Sequence, residues 1–197
     1  MSLSQANDPL PEDQMIVISV GTDHHPFARL VEWAEAWAKD NPTYRVIVQR
    51  GTVAAPVSIE SHDLIPHDEL RRLFAAALVV VSHGGPSTVM DARMAGRLPI
   101  VVPRDNSLGE HVDDHQLRFA RHLDLHGLAR CATTREEFDV LMAEALAHPE
   151  TFTIPRQELE AASGVVKLGK VLDDLLGIQT RLTPNDIEPH HRPVLDS

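Results

Sequence analysis

The feature that most constrains the fold is a regular alternation of short apolar runs with longer amphipathic segments. Four runs are rich in β-branched residues and predict buried strands at 15–20, 44–51, 78–83 and 98–103, with a shorter strand at 57–61. Segments with apolar residues three and four positions apart predict helices at 26–41, 67–77, 87–96, 112–127 and 134–149. This alternation forms right-handed β-α-β units, so the predicted class is α/β: a Rossmann-like, mostly parallel sheet with helices on both faces.

Composition predicts one globular domain between two terminal segments. The chain has 197 residues, of which 43% are hydrophobic and 24% charged, values typical of a folded domain. Residues 1–14 are polar and predict a flexible leader, whereas 178–197 contain three prolines without periodicity and predict a flexible tail. The domain is expected to span 15–177 and to end in a helix near 156–176.

Charge and cysteine content narrow the classes of partner and compartment. The formal net charge of -11 argues against a nucleic-acid binder and against direct docking on anionic lipid. No apolar run is long enough to span a membrane, and the leader lacks the basic and apolar regions of a secretory signal. The lone Cys131 excludes an intrachain disulfide and fits a reducing compartment. We therefore expect a cytoplasmic chain, reaching the inner face of the membrane only through a partner.

The stretch VVVSHGGPSTVMDARMAG, residues 79–96, joins a predicted strand to a predicted helix. Gly84 and Gly85 allow a ligand to approach the backbone, and the amide groups at the start of the helix suit a phosphate or diphosphate. His83 leaves the strand tip, where it can donate a hydrogen bond to the same anion. The simpler alternative is a tight strand-to-helix turn whose histidine packs locally.

Asp91 lies one turn beyond Ser87, so its carboxylate is predicted to face the same crevice. An acid in that position accepts hydrogen bonds from a vicinal diol such as a ribose. An anion site and a diol acceptor about two helical turns apart together predict a binding site for a nucleoside diphosphate. In α/β sheets ligands lie beyond the carboxyl ends of the strands, where the stretches 19–26, 82–88 and 102–116 fall.

Three motifs resemble those of one enzyme family. HGGPSTVMD (83–91) is similar to the nucleotide-sugar motif of GT-B glycosyltransferases. VISVGTDHHPFARLVEWA (17–34) and VPRDNSLGEHVDDHQ (102–116) are similar to stretches of bacterial exopolysaccharide transferase subunits. In this order, over roughly 15–175, they resemble the C-terminal domain of family 28 glycosyltransferases, including the catalytic half of the split enzyme that acts on dolichol-linked N-acetylglucosamine. Asp91 stands where many relatives have Glu, and Asp23 stands where related subunits often have His.

The resemblance assigns residues to each part of a UDP-sugar. The diphosphate is assigned to His83, Gly84, Gly85, Ser87 and Thr88, with Gly21 and Thr22 near the diphosphate or the acceptor and Arg104 as a cation near the phosphates. The ribose is assigned to Asp91, the uracil edge to the backbone of Ile65, and the sugar hydroxyls to His115 and Gln116, with Glu110, His111 and Asp114 framing that loop.

The function implied by the resemblance is transfer of a hexose-type sugar from a UDP-sugar to a lipid-linked acceptor in extracellular or cell-surface polysaccharide biosynthesis. A complete GT-B enzyme has two domains, so a membrane-anchored, acceptor-binding partner subunit is expected to supply the second wall of the active site. The resemblance implies no cofactor and no essential metal. The general base is not assigned, and His24, Glu110 and the partner all remain open.

Two other functions remain open: a nucleotide-sugar epimerase or hydrolase on the same fold, and a non-catalytic UDP-sugar-binding protein.

Four histidines were also candidates for a metal site. His111, His115, His122 and His126 are spaced as one stripe if their region is a single helix. Because residues seven positions apart lie about 10 Å apart along a helix, the four cannot share one ion, and no metal site is predicted.

Overall fold

A computed structural model describes residues 14–155, 157 and 159 of the chain. Its strands are β1 (Met15–Ser19), β2 (Arg45–Gln49), β3 (Glu60–His62), β4 (Val79–Ser82), β5 (Ile100–Val101) and β6 (Arg130–Cys131). Its helices are α1 (Ala28–Asp40), α2 (His67–Ala76), α3 (Pro86–Met94), α4 (His115–Leu125) and α5 (Arg135–Ala147), with 3-10 turns at Asn106–Leu108 and Pro149–Phe152.

The six strands form one sheet in the order β3-β2-β1-β4-β5-β6, and every described pairing is parallel. Val17 in β1 pairs with Ile47 on one side and with Val80 on the other. The strand order therefore reverses beside β1, and the crevice beyond the carboxyl ends of β1 and β4 is where ligands bind in such sheets. The predicted α/β, Rossmann-like fold is confirmed.

Side chains of the strands point alternately to two apolar layers. In β1, Ile16 and Ile18 pack with α1 and α5, whereas Met15 and Val17 pack with α2 and part of α3. A third cluster packs α4 and Val89 of α3 against Val101 of β5. Burial of both faces explains why the strands read as continuous apolar runs rather than as alternating ones.

Several boundaries differ from the sequence prediction. Pro26 does not begin α1, which starts at Ala28, because the preceding Phe27 has a non-helical backbone and is fully buried in the core. Helix α4 starts at His115 rather than at 112, because the Asp113 carboxylate accepts the His115 N–H (3.1 Å) where an intrahelical bond would otherwise be needed. His111 therefore lies outside the helix, and the condition under which it would share one stripe with His115, His122 and His126 is not met.

The two edge strands, β3 and β6, differ most from the sequence prediction. Strand β3 lies at Glu60–His62 rather than at 57–61, and β6 was not predicted. Residues 1–13, the tail at 178–197 and nearly all of the helix expected at 156–176 lie outside the described residues, so these boundaries stay predictions. No helix in the described part of the chain is both long and apolar enough to cross a membrane.

Candidate functional site

His83 occupies the point where the strand order reverses. Its backbone N–H donates to the Ser19 carbonyl (3.0 Å), which ties the end of β4 to β1. Its ring fills the space between two glycines: a Cβ added at Gly21 would lie 2.4 Å from Cε1, and one added at Gly85 would lie 2.4 Å from Nε2. Gly21 also has φ +80°, which side chains rarely adopt. Glycine is therefore required at both positions for the ring to sit here.

The His83 side chain is only 8% exposed, and its Nδ1 has no hydrogen-bond partner among the described residues. Burial, with a smaller contribution from the nearby Arg104 charge, lowers the pKa of His83 to about 4. The ring is consequently neutral at pH 7. A neutral imidazole carries one N–H donor and one acceptor, so an unpaired buried nitrogen is ready for a ligand.

Helix α3 begins directly after the glycine pair and has no side-chain cap. Gly85 is the N-cap residue and Pro86 occupies the first turn. The amides of Ser87 and Thr88 lie within that turn and find no acceptor in the part of the chain described here. Gly84, at φ +84°, donates its N–H to Ser82 Oγ (3.3 Å). Unpaired amides and the helix dipole together favour an anion at this end.

Asp91 lies on α3, as predicted, and its carboxylate contacts α2. Its Oδ2 lies 2.9 Å from His67 Nε2, and its Oδ1 lies 3.8 Å from Arg71 Nε. The His67 side chain is 64% exposed, whereas that of Asp91 is 16% exposed. The partner of the acid is thus an exposed surface side chain, and a ligand hydroxyl can replace the imidazole.

Gln49 is a site residue that the sequence analysis missed. At the carboxyl end of β2 its side-chain Nε2 donates to Ser19 Oγ (3.1 Å) and to the Gly21 carbonyl (3.2 Å). Its Oε1 accepts the Ile65 N–H (3.0 Å). One buried amide thus links Ile65 to Gly21. The available signal was a glutamine directly after three buried apolar residues, in the strand RVIVQ.

Arg104 is fully buried and joins the loop after β1 to the loop after β5, on which it lies. Its Nη1 donates to the carbonyls of His25 (2.6 Å) and Glu110 (3.1 Å), and its Nη2 donates to that of Val20 (2.9 Å). Its guanidinium lies 4.9 Å from the Phe27 ring centroid. Both terminal nitrogens are engaged, so a direct contact between Arg104 and the phosphates would require them to exchange partners.

Glu110 is buried and paired with Arg29 of α1, an interaction that the sequence analysis also missed. Arg29 Nε and Nη2 donate to the two carboxylate oxygens at 2.9 and 2.8 Å. Arg29 Nη2 also donates to the Pro103 carbonyl (2.8 Å), and the Asp105 N–H donates to Glu110 Oε2 (2.9 Å). Glu110 therefore anchors the loop after β5 to α1.

Asp23 and His111 bring the loops after β1 and β5 together. Asp23 Oδ1 accepts the His25 N–H (2.8 Å), its Oδ2 lies 3.7 Å from His111 Nε2, and its pKa is lowered to about 2. The main cause is the His25 backbone bond, and the His25 side chain and the Arg104 charge act in the same direction. Asp23 is therefore a carboxylate throughout the physiological range.

The remaining predicted residues lie at the rim. Thr22, Ser87, Asp114 and His115 are exposed, whereas Gln116 is half-buried with an Oε1 that has no partner among the described residues. The structure thus brings Gly21, His83 and Gly85 into contact and links Ile65 to them through Gln49. No hydrogen bond or ion pair in the described chain joins His115 or Gln116 to His83 or Asp91.

Residues 15–165 match the profile described as "Glycosyltransferase family 28 C-terminal domain". This chain belongs to that family. The family 28 domain thus includes all the candidate site residues described above. No curated protein sequence matches the chain.

Solved structures share the fold of this family 28 domain. It resembles the glycotransferase of kitacinnamycin (TM-score 0.59, 20% identity, covering 88% of this chain and 46% of that one). It also resembles MurG of Acinetobacter baumannii (TM-score 0.51, 20% identity, 89% and 51%) and ALG13 (TM-score 0.52, 14% identity, 77% and 94%). The family 28 domain therefore spans about half the length of the first two proteins and nearly all of ALG13.

Proposed function

We propose that this family 28 domain binds a UDP-sugar at the carboxyl edge of its sheet and transfers the hexose-type sugar to a lipid-linked acceptor in extracellular or cell-surface polysaccharide biosynthesis. The observation that carries the proposal is His83. A buried, neutral imidazole with an unpaired nitrogen lies between two obligatory glycines, directly before an uncapped helix. A buried polar atom without a partner is costly unless a ligand pairs with it.

The diphosphate is placed against the amides of Ser87 and Thr88, with His83 as a further donor. The ribose hydroxyls are placed at Asp91, where they replace the exposed His67. The uracil edge is placed at the Ile65 backbone. Since the Ile65 N–H is already bonded to Gln49, the carbonyl is the group that receives a ring N–H.

The sugar hydroxyls are assigned to His115 and Gln116 at the start of α4. Gln116 Oε1 is buried and has no partner in the described chain, so a sugar hydroxyl would satisfy it. His115 is exposed beside it. Glu110, His111 and Asp114 shape the same loop, and Glu110 does so through Arg29. Their role is to position the loop rather than to contact phosphate.

In the transfer step, the acceptor hydroxyl oxygen bonds to the anomeric carbon while the bond from that carbon to the β-phosphate oxygen breaks. UDP leaves with the electron pair, and the hydroxyl proton passes to a base. Helix-end amides and His83 stabilise the charge that develops on the diphosphate. The positive charge of Arg104 stabilises the same charge without contacting it. No cofactor is invoked. Because Glu110 is engaged by Arg29, His24 and the partner remain as sources of the base.

The acceptor side of the crevice is assigned to a membrane-anchored partner subunit, which would hold the chain at the inner face of the membrane. Leu108 and Val112 support this assignment because they are 60% and 75% exposed on the loop that carries Glu110 and His111. Large apolar side chains grouped at the edge of a ligand site are typical of a surface that another protein covers.

Calorimetry with UDP tests the site. Asp91→Ala is expected to weaken UDP binding by about 1–3 kcal/mol, the cost of a missing buried hydrogen bond. His67→Ala is the matched control: it removes the imidazole that pairs with Asp91 and leaves the carboxylate free, so UDP affinity should be kept or increased. Unchanged affinity in Asp91→Ala, or an equal loss in both variants, would contradict the assigned ribose contact.

Transfer itself is tested by co-expressing the chain with a candidate partner in membranes and supplying a panel of labelled UDP-sugars. Incorporation of label into lipid supports a transferase and names the sugar. Binding of UDP without incorporation of any label would favour a non-catalytic binding protein instead.

A further inference from the structure

Three consecutive residues on the loop after β1 bring metal-ligating atoms together. Nδ1 of His24 lies 3.6 Å and Nδ1 of His25 lies 2.7 Å from Asp23 Oδ1. One ligand atom from each of the three residues lies within 4.8 Å of the other two. The two imidazoles are packed with their centroids 4.0 Å apart.

His111 adds an imidazole from the loop after β5. Its Nε2 lies 3.7 Å from Asp23 Oδ2, and its ring centroid lies 6.0 Å from that of His25. The opposite ring nitrogen, Nδ1, lies 3.2 Å from Asp113 Oδ1. A histidine whose one nitrogen is held by a carboxylate while the other points to a ligand group is the arrangement that orients metal-bound histidines.

We propose that Asp23, His24, His25 and His111 form a binding site for a divalent transition metal of the Zn²⁺ class. In a tetrahedral Zn²⁺ site with bonds near 2.0–2.1 Å, neighbouring ligand atoms are about 3.3 Å apart, close to the 3.6 Å from His24 to Asp23 Oδ1 and the 3.7 Å from His111 to Asp23 Oδ2. The 2.7 Å between His25 Nδ1 and Asp23 Oδ1 is a hydrogen bond, which the metal would replace. Imidazole and carboxylate suit Zn²⁺, and the chain's net charge of -11 favours cations.

This site differs from the histidine stripe considered in the sequence. Its ligands come from the loop after β1 and the loop after β5, and His111 is the only residue that it shares with that stripe. Metal binding would join these loops at the crevice where Gly21 contacts His83. The site does not depend on the transferase assignment; with His24 bound to the metal, the base of the transfer step would come from the partner.

Titration of the tag-free full chain with ZnCl₂ in a calorimeter tests the proposal, with the visible absorption of Co²⁺ as a second readout of tetrahedral nitrogen and oxygen coordination. One saturable Zn²⁺ per chain is expected. Asp23→Asn, His24→Ala and His111→Ala should each weaken it by roughly tenfold or more. His24 is 85% exposed, so its replacement leaves the fold intact even if the other two variants unfold.

Two controls separate this site from other histidines. His148→Ala removes an exposed histidine that pairs with Glu150 and should leave Zn²⁺ binding unchanged. His190→Ala/His191→Ala removes the adjacent histidines of the tail and should also leave it unchanged. Non-saturable binding, full affinity in His24→Ala, or loss of binding only in the tail variant would overturn the proposal.

Discussion

At the residue scale, the position and the protonation state of the His83 ring are set by the residues around it. Gly21 and Gly85 contact opposite parts of its ring, and burial keeps it neutral. An unfolded histidine has the ordinary pKa of 6.5, whereas the folded one has a pKa of about 4. The unfolded chain therefore binds a proton first as the pH falls.

The resulting prediction concerns the pH dependence of stability. As pH falls from 6.5 to about 4, the wild-type free energy of unfolding should drop, because only the unfolded state gains a proton on His83. His83→Gln removes this contribution. Over the same pH interval, the variant should therefore lose up to about 3 kcal/mol less of its free energy of unfolding than the wild type does. Urea unfolding followed by tryptophan fluorescence measures the difference.

The control for this measurement is His148→Gln, which removes an exposed histidine instead of a buried one. Its stability should change with pH as that of the wild type does. Identical pH profiles for His83→Gln and the wild type would show that His83 is protonated inside the folded protein.

At the element scale, the loop after β5 is attached to α1 by the Arg29–Glu110 pair. The two side chains are 17% and 8% exposed, and they make three further hydrogen bonds to backbone groups. Arg29 also lies over the rings of Phe27 (5.2 Å) and Trp33 (4.9 Å). The loop's position therefore depends on a helix that is distant from it in sequence.

Arg29→Ala is expected to lower the free energy of unfolding by about 3–5 kcal/mol, because it leaves the Glu110 carboxylate buried without its partner. Hydrogen exchange should quicken at 103–114. The matched control is Arg45→Ala, which removes an exposed arginine that binds Glu60 through the same two nitrogens. That loss should be about 0–1 kcal/mol, and equal losses in the two variants would contradict the structural role of the buried pair.

At the scale of the whole molecule, periodicity was enough to predict the sheet and its helices. The β-branched runs become β1, β2, β4 and β5, since buried parallel strands must be apolar throughout. The two-residue β6 carries no such signal. Its Arg130 and Cys131 are half-buried, so their pattern does not differ from that of a loop.

The site was predictable only where one motif carries several of its parts. His83, Gly85 and Ser87 are neighbours in sequence, so their grouping was visible from the start. The partners of Arg104 and Arg29 lie as many as 84 and 104 positions away, and only the folded chain brings them together. Arg104 was therefore assigned to the phosphates from the sequence, and Arg29 was given no role.

The proposed partner subunit gives a prediction at this scale. Leu108→Ser/Val112→Ser should abolish sugar transfer in membranes that contain the partner, because the two exposed side chains would be covered by it. UDP affinity of the isolated chain should be unchanged. Leu125→Ser, which alters a side chain 80% exposed at the end of α4, is the control and should keep transfer. Equal activity in all three proteins would remove this loop from the interface.

The burial of Arg104 has a practical consequence for engineering. Because one guanidinium donates to the carbonyls of Val20 and His25 on the loop after β1 and of Glu110 on the loop after β5, neither loop is an independent module. Exchanging a single loop with that of a relative, in order to change which sugar is used, would leave the positive charge of Arg104 buried without some of its hydrogen-bond acceptors. Chimeras should therefore exchange both loops together, with the arginine that joins them.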